Sequence, residues 1–396
     1  MPTALLAGAF GQRNPGDDAL LEAFANALDG WELIATAAFG APESALAGCE
    51  PVRADDAVAV ARAVGRADAV VFAGGTVFKT LGPACGRPPL SLLRRALALA
   101  TGATALGRPL ALVGVGAGAL PTPTARTLTR KIISRADLLI LRDDESAALL
   151  TDAGAPTPFR VGADAAWTLF MDAPLNGGGR GRGDQGNGFA NAARRGGGRG
   201  VLVVLSHHAD GPKLGARLAE GLAPVVAAGV PLVLQPFQVG MPGADDLELG
   251  REVRARLGGV PELIVPPADL HEARDLAREF GVVVALRFHA AIAAAAAGTP
   301  FVAYAHEPKL AAVARRLRQP VVDAVVPAPV LGDAALAALD GPPAAAPAIK
   351  AEVARAEEGF RLLQLVLTRG RGRPADDVSG LPLAPEPWTV PEEVSA

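Results

Sequence analysis

Short apolar runs alternate with longer helical patterns along most of the 396-residue chain. The runs at residues 3–9, 68–72 and 282–286 are strand-sized and have the continuous apolar character of strands buried on both faces. Helical patterns such as residues 214–228 lie between such runs. Consecutive parallel strands need a crossover helix, so this alternation predicts an α/β fold with parallel sheets.

A stretch rich in glycine and arginine divides this alternation into two halves. Residues 173–199 show no apolar periodicity, which is typical of a flexible linker or a disordered loop. We therefore predict two Rossmann-like domains facing a cleft, at residues 1–172 and 200–336. Helices are expected at 337–370, with the last helix returning to the first domain, followed by a tail rich in proline and acidic residues at 371–396.

The composition excludes several classes of protein. A net charge of −3 and an aromatic content of 4% argue against a nucleic-acid partner, which would need a basic surface and stacking side chains. The cysteines, Cys49 and Cys85, are too few for a disulfide framework and match no metal motif, which favours a reducing cytoplasm. We find no run of strongly apolar residues long enough to span a bilayer and expect a cytoplasmic protein.

Glycine-rich turns follow three of the predicted strands, at residues 8–11, 74–75 and 114–118. Glycine allows the backbone to approach a neighbouring group closely, and that neighbour is either a ligand or a packed helix. We favour the ligand, and on this basis assign Gly75 and Gly116 to the lining of a substrate site.

Arg287 and His289 lie where the strand at 282–286 ends and a small-residue helix at 290–297 begins. In an open parallel sheet this is where ligands bind, and the free N–H groups of a helix start favour an anion. The pair therefore predicts a phosphate or carboxylate site. The alternative is a surface arginine next to a helix-start histidine.

Two further strands end in polar side chains. Arg142 follows the strand at 137–141 and either faces the same cleft or pairs with one of the acids after it. His207, between Ser206 and His208, follows the strand at 200–205. Adjacent histidines point in different directions and no supporting acid is evident, so we expect a polar substrate contact here and no metal.

Several blocks of the chain resemble the polysaccharide pyruvyl transferase family. They keep the order and spacing of the family motifs in both halves of the chain. The blocks comprise Gly11, Asn14, Gly16 and Asp17; Gly74, Gly75 and Phe78; Arg142 with Ser146; Asp164 to Trp167, with Ala165 where proline is common; and Arg287, Phe288, His289, Gly298, Thr299, Pro300, Tyr304 and Lys309.

The resemblance implies a fold of the glycosyltransferase B type and a defined reaction. The family uses phosphoenolpyruvate as donor and forms a pyruvate ketal on a sugar of a cell-surface polysaccharide, as in S-layer anchoring, or of its lipid-linked precursor. The implied partners are therefore phosphoenolpyruvate and a sugar or lipid-linked saccharide, with no cofactor. A lipid-linked acceptor would place the protein at the inner face of the membrane as a peripheral enzyme.

The resemblance also implies roles for individual residues. Arg287 would bind the donor phosphate or carboxylate, His289 would protonate the donor or contact its phosphate, and Asp17 would act as the base. Lys309 would bind phosphate or balance Glu307. The residues assigned to substrate binding are Asn14, Gly75, Gly116, Arg142, His207, Tyr304 and Lys309. Replacing Arg287 with alanine is expected to abolish activity with little change in melting temperature.

Two alternatives remain. A nucleotide-sugar glycosyltransferase or epimerase of the same architecture would share the cleft but needs an acidic residue for the ribose and a base-stacking pocket, neither of which is evident. A non-catalytic relative would have lost its site, whereas Arg287, His289, Arg142, Asn14 and Asp17 are all present.

Overall fold

Two parallel β-sheets, one in each half of the chain, form the framework of the protein. The structure is a computed structural model that describes residues 1–82, 86–155, 158–170, 198–207, 213–240, 245–324 and 330–369. The predicted tail at 371–396 lies outside these ranges, as does the predicted linker at 173–199 apart from its last two residues. No helix of the described residues is both long and apolar enough to cross a membrane.

The first sheet has eight strands in the order β3-β2-β1-β4-β6-β7-β8, with β5 paired to β6. Its strands are β1 (Thr3–Phe10), β2 (Glu32–Ala37), β3 (Glu50–Arg53), β4 (Ala69–Ala73), β5 (Thr76–Phe78), β6 (Leu110–Ala117), β7 (Leu138–Leu141) and β8 (Arg160–Val161). The connecting helices are α1 (Pro15–Ala27), α2 (Ala57–Arg66), α3 (Ser91–Ala105), α4 (Pro123–Ile133) and α5 (Asp144–Asp152), with 3₁₀ turns at Glu43–Leu46 and Ala165–Phe170.

The second sheet has six strands in the order β11-β10-β9-β12-β13-β14. They are β9 (Val201–Val204), β10 (Leu232–Gln235), β11 (Glu262–Leu263), β12 (Val282–Ala285), β13 (Phe301–Ala305) and β14 (Val321–Asp323). The helices of this half are α6 (Leu214–Ala227), α7 (Asp246–Arg256), α8 (Leu270–Ala277), α9 (Phe288–Ala297), α10 (Pro308–Arg316) and α11 (Val330–Ala338).

In each sheet the order in which the chain adds strands reverses at one point, and a ligand site is expected there. The reversal lies between β1 and β4 in the first sheet and between β9 and β12 in the second. Loops on either side of such a point leave the sheet in opposite directions and create a crevice outside the carboxyl ends of the strands. The prediction of two Rossmann-like domains facing a cleft is confirmed by these two parallel sheets, and residues from the two crevices contact each other.

Several predicted boundaries were wrong by a few residues for identifiable reasons. From the sequence we predicted a helix at residues 126–135, but α4 begins at Pro123, because Thr122 accepts the Ala125 N–H at 3.1 Å and proline suits the first helical position. Strand β6 runs through its glycines to Ala117, where we predicted a turn. Strands β3 and β5 were missed because they have only 4 and 3 residues.

The last described helix, α12 (Ala346–Arg369), packs against the first half of the molecule. The Phe360 ring meets the Phe24 ring of α1 edge to face, with centroids 4.9 Å apart. The Gln364 side-chain amide donates to the Ala27 carbonyl at 2.8 Å. Residues from the last described helix therefore cover part of the first half of the chain.

Candidate active site

Arg287 is the centre of the charged groups in the second half. It occupies the N-cap position of α9 in an extended conformation, directly after β12. Its guanidinium donates from Nη2 to both oxygens of Asp246, at 2.9 and 2.8 Å, and from Nε to the Leu205 carbonyl at 3.3 Å. The Arg287 side chain keeps 10% of its surface exposed, so the guanidinium is held firmly and still borders the cleft.

Asp246 is a fully buried carboxylate that several donors surround. Besides Arg287, it accepts the backbone N–H groups of His207 at 2.8 Å, Phe237 at 3.1 Å and Gln238 at 2.8 Å. Burial opposes ionisation, but His207 and Arg287 outweigh it and lower the pKa of Asp246 to about 2. Asp246 therefore stays charged and fixes the orientation of Arg287.

His207, which follows β9, belongs to this group and has an acidic partner that the sequence did not indicate. Its Nδ1 lies 2.6 Å from Asp246 Oδ1, and its side chain is 13% exposed. The neighbouring His208 lies outside the described residues. Among the described residues there is no cluster of three or more potential metal ligands.

Arg142 is the corresponding cation of the first half and is more enclosed, at 2% exposure. It follows β7 and donates from Nη2 to the Thr76 hydroxyl at 2.8 Å and from Nε to Asp143 at 3.1 Å. A second carboxylate oxygen, Asp164 Oδ2, lies 3.6 Å from Nη1. The guanidinium also lies over the ring of Phe288, a residue of the second half, at 5.0 Å from its centroid.

His289 lies between the two halves, in the first turn of α9, and is 8% exposed. Its Nε2 is 3.5 Å from Asp164 Oδ1, and a Cβ atom on Gly16 would lie 2.1 Å from its Nδ1. Only glycine at position 16 leaves room for this ring. Burial disfavours a charged Asp164, but His289 and Arg142 outweigh it, and the pKa of Asp164 is lowered. His289 therefore faces a buried carboxylate of the opposite half.

Asn14 and Asp17 meet at the start of α1. The side-chain oxygen Oδ1 of Asn14 caps the helix by accepting the Gly16 N–H at 3.2 Å. The side-chain amide nitrogen of Asn14 donates to Asp17 Oδ2 at 2.7 Å. Asp18, which the sequence analysis did not single out, accepts the Gly11 N–H at 2.7 Å. Burial, together with Asp17, raises the pKa of Asp18 to about 7 although the Gly11 bond opposes this. Asp18 thus has an acidity suited to proton transfer near neutral pH.

The remaining predicted site residues have different surroundings. Gly75 adopts a φ of +72°, and a Cβ there would meet nothing within 4 Å, so this turn borders open space. A Cβ on Gly116 would lie 2.6 Å from Arg142 Nη2, so Gly116 makes room for the arginine. Lys309 pairs with Glu307, which was one of the two roles predicted for it. Tyr304 is 4% exposed and packs in the apolar core of the second sheet, away from the charged groups.

Other polar contacts also join the halves. The Gln238 amide donates to the Gln12 carbonyl at 3.1 Å and its oxygen accepts from Arg287 Nη1 at 3.3 Å. His271 Nε2 lies 3.0 Å from Glu22 Oε1, and this bond to Glu22 raises the pKa of His271. His271 thus contributes a contact between the halves. Gln238 connects the Gly11–Asn14 turn of the first half to the cation of the second.

Sequence reasoning missed the carboxylates that hold the cations. Asp246 is the first residue of α7 and resembles an ordinary acid that favours a helix start. Asp164 stands in a block that resembles the family, but it received no role. A chemical signal for these carboxylates was available in the sequence. An arginine at the end of a buried strand needs a carboxylate partner. Such a partner is expected in the segments that follow neighbouring strands.

Solved structures with the same fold are diverse in sequence. Anabaena HepE in complex with UDP-glucose matches with a TM-score of 0.57 at 15% identity, covering 96% of this chain and 100% of that one. A UDP complex of MnaA from S. aureus gives 0.60 at 13%, covering 94% and 99%. UDP-GlcNAc 2-epimerase from Neisseria meningitidis bound to UDP-GlcNAc gives 0.57 at 10%, covering 92% and 100%. These likenesses show a two-domain fold of the glycosyltransferase B type.

The family assignment comes from the sequence itself. No curated protein matches the chain. The model of the polysaccharide pyruvyl transferase family, by contrast, matches residues 14–308, which include Arg142, Arg287 and His289. That range begins at the Asn14 cap of α1 and ends at the start of α10. On this evidence the chain belongs to the polysaccharide pyruvyl transferase family.

Proposed function

We propose that the protein transfers a pyruvyl group from phosphoenolpyruvate to two hydroxyl groups of a sugar, forming a ketal and releasing phosphate. The observation that carries the proposal is the position of Arg287. Its guanidinium lies at the switch point of the second sheet, is fixed by the buried Asp246 and keeps one side toward the cleft. A planar guanidinium held in this way suits the phosphate or carboxylate of a small anionic donor.

The chemistry needs a proton donor, and His289 is suited to the task. Protonation of the donor methylene carbon makes a cation-like centre at C2, which the first sugar oxygen attacks. The C2–O bond to phosphate then breaks and the second sugar oxygen takes its place. Of the two hydroxyl protons, one replaces the proton given to the methyl group and the other leaves with phosphate. The Asp164 carboxylate at 3.5 Å would stabilise the protonated imidazole of His289.

A base on the acceptor side would come from the acidic start of α1. Asp17 was predicted for this role, and its carboxylate accepts from Asn14. Its neighbour Asp18 has a pKa of about 7 and can take up a proton near neutral pH. We assign the sugar hydroxyls to this pair, with Asp18 as the base. The sugar acceptor agrees with the polysaccharide named by the family.

A second candidate is a nucleotide-sugar enzyme, since HepE and MnaA have the same fold and are described as complexes with UDP compounds. Identities of 13–15% limit that likeness to the fold. A lipid-linked saccharide as acceptor would bring the protein to a membrane surface, where it would act as a peripheral enzyme under either proposal.

A thermal-shift titration distinguishes the two candidates. We expect phosphoenolpyruvate to raise the melting temperature of the wild type in a dose-dependent way, with a much smaller rise in Arg287→Lys. Release of phosphate and formation of a ketal on a saccharide acceptor would then test turnover. A shift with UDP or UDP-GlcNAc, and none with phosphoenolpyruvate, would contradict the pyruvyl-transfer proposal.

A further inference from the structure

Arg13 has an unusual backbone conformation at the edge of the cleft. It belongs to the turn after β1, next to the point where the strand order of the first sheet reverses. Its φ of +53° is a left-handed value that is costly for a residue with a Cβ atom and free for glycine. Ala47 and Arg318, the other described non-glycine residues with a positive φ, follow the ends of helices, where this conformation is common. Arg13 precedes a helix, so its conformation needs another reason.

The turn around Arg13 is fixed by bonds on either side. The Gly11 N–H donates to the Asp18 carboxylate at 2.7 Å. The Gln12 carbonyl accepts from the Gln238 amide of the second half at 3.1 Å. A strained residue persists only where its surroundings hold it in place, and such residues concentrate at sites that clamp ligands.

The Arg13 side chain crosses to the second half of the molecule. A Cβ atom on Gly240 would lie 2.6 Å from Arg13 Nη1 and 3.5 Å from its Cζ, so the guanidinium lies against the backbone of Gly240. Gly240 is two residues beyond Gln238, whose side-chain oxygen accepts from Arg287 Nη1 at 3.3 Å. Two residues span at most about 7 Å. Arg13 and Arg287 therefore border the same short segment from opposite halves.

Arg13 differs from the other two arginines of the cleft in its partners. Arg287 has the buried Asp246 beside it, and Arg142 has the buried Asp164. Arg13 is exposed, and its guanidinium makes no hydrogen bond or ion pair with the residues that the structure describes. A guanidinium has five N–H donors in a planar arrangement that matches a phosphate or a carboxylate. The Arg13 guanidinium is thus available to an anion that enters the cleft.

We propose that Arg13 is a second anion-binding residue of the cleft and holds the anionic group of the donor that Arg287 does not hold. This role rests on the function proposed above, because phosphoenolpyruvate carries both a phosphate and a carboxylate. Arg287 has 10% of its side chain exposed toward the cleft, whereas Arg142 is enclosed at 2%. A donor held by Arg13 and Arg287 contacts both halves and lies beside the start of α1, where the sugar hydroxyls are assigned.

The test compares Arg13→Gly and Arg13→Lys with the matched control Arg318→Gly. Arg318 is also exposed and has a φ of +55°, but it lies between the end of α10 and the start of β14, at the edge of the sheet opposite the cleft. Glycine relieves the backbone at both positions, so both glycine variants should melt at or above the temperature of the wild type.

Calorimetric titration with phosphoenolpyruvate measures donor binding without turnover. We expect Arg13→Gly to weaken this binding by about tenfold or more, the size of one lost charge-assisted contact, with Arg13→Lys in between and Arg318→Gly unchanged. Unchanged or raised thermal stability together with weakened binding separates a ligand contact from a structural role.

Titrations with inorganic phosphate and with pyruvate identify the group that Arg13 holds. A loss of affinity for phosphate alone in Arg13→Gly assigns the phosphate to Arg13 and the carboxylate to Arg287, and a loss for pyruvate alone assigns the reverse. A phosphoenolpyruvate affinity within about twofold of the wild type in Arg13→Gly would overturn the proposal, as would a wild type that binds none of these anions. Donor binding that depends on Arg13 in a protein that never forms a ketal would leave this role standing and refute pyruvyl transfer.

Discussion

The two arginines of the site, Arg287 and Arg142, are both backed by buried aspartates but differ in how they are held. Arg287 makes two charged bonds of 2.8 and 2.9 Å to Asp246 and keeps 10% of its side chain exposed. Arg142 divides its bonds between Thr76 and Asp143, lies 3.6 Å from Asp164, and is 2% exposed beneath the Phe288 ring.

The difference in exposure means that the two arginines are not equally accessible to an anion in the cleft. An anion can approach Arg287 from the cleft without moving other groups. An anion that is to contact Arg142 must first displace Phe288, which belongs to the other half of the molecule. His289, between Gly16 and Asp164, is enclosed in the same way. Arg142 and His289 are therefore less accessible from the cleft than Arg287.

The largest expected effect is at Arg287. Arg287→Lys should lower kcat/KM for the donor by about a thousandfold, because a single ammonium cannot hold both Asp246 oxygens and the anion. Arg142→Lys should change donor KM much less, since this arginine is enclosed beneath the Phe288 ring and bonded to Thr76 and Asp143. Kinetics with varied phosphoenolpyruvate separate the two cases, and equal effects of both variants on donor KM would remove the distinction drawn here.

The alanine variant of Arg287 is a poorer probe than the sequence alone indicated. It leaves Asp246 buried without its main cation, which should cost about 3–5 kcal/mol of unfolding free energy. The expectation of a nearly unchanged melting temperature for Arg287→Ala is therefore withdrawn. Lysine at this position keeps the charge, so urea unfolding of Arg287→Lys should show a much smaller loss than Arg287→Ala.

Gly16→Ala tests whether enclosure of His289 matters. The new Cβ would overlap the imidazole, so the ring or the halves must shift, and we expect activity to fall by about a hundredfold. Gly65→Ala is the matched control, because position 65 is in helix α2 and a Cβ there meets nothing within 4 Å. That control should be slightly more stable than the wild type and fully active. Unchanged activity in Gly16→Ala would show that His289 has room to move.

Asp246 should make stability depend on acid pH. Its carboxyl has a folded pKa of about 2 against an ordinary value of 3.8, so its contribution is present above about pH 4 and is lost as pH falls toward 2. The contribution is about 2 kcal/mol. Urea unfolding between about pH 5 and pH 2 should therefore show a steeper loss for the wild type than for Asp246→Asn. If the unfolding free energies of the two proteins fell in parallel with pH, Asp246 would not have the lowered pKa described here.

The smallest effect is expected from Asp18, in the pH profile of activity. A base with a pKa of about 7 must lose its proton to act, so the rate of the wild type should rise through neutral pH. Asp18→Asn should abolish this rise, whereas Asp17→Asn should retain it. Asp18 also has a raised pKa, so its contribution to stability fades as pH increases, and Asp18→Asn should be the more stable protein at alkaline pH.

The fold could be predicted because each of its signals is local. Apolar runs of strand length, the helical patterns between them and polar residues at strand ends give the doubly wound halves and place Arg287, His207 and Arg142 after the carboxyl ends of strands. The exact ends of elements were less certain, since they depend on single capping residues such as Thr122.

The partners of the cations could not be predicted, because they depend on contacts between distant segments. Asp246 and Arg287 are 41 positions apart, and His289 meets Gly16 and Asp164 only when the halves face each other. Tyr304 shows the opposite error. It lies in a block that resembles the family, but in β13 its side chain points into the apolar core. A motif gives a residue's position in the chain, and only packing decides which way the residue faces.

The return of helix α12 to the first half bears on how the protein is made. Phe24 and the rest of α1 expose an apolar surface until Phe360 and its neighbours have been synthesised. A chain emerging from the ribosome therefore cannot complete its first domain until the second has been translated. We expect a fragment ending near residue 172 to aggregate, and the nascent chain to depend on chaperones for most of its synthesis.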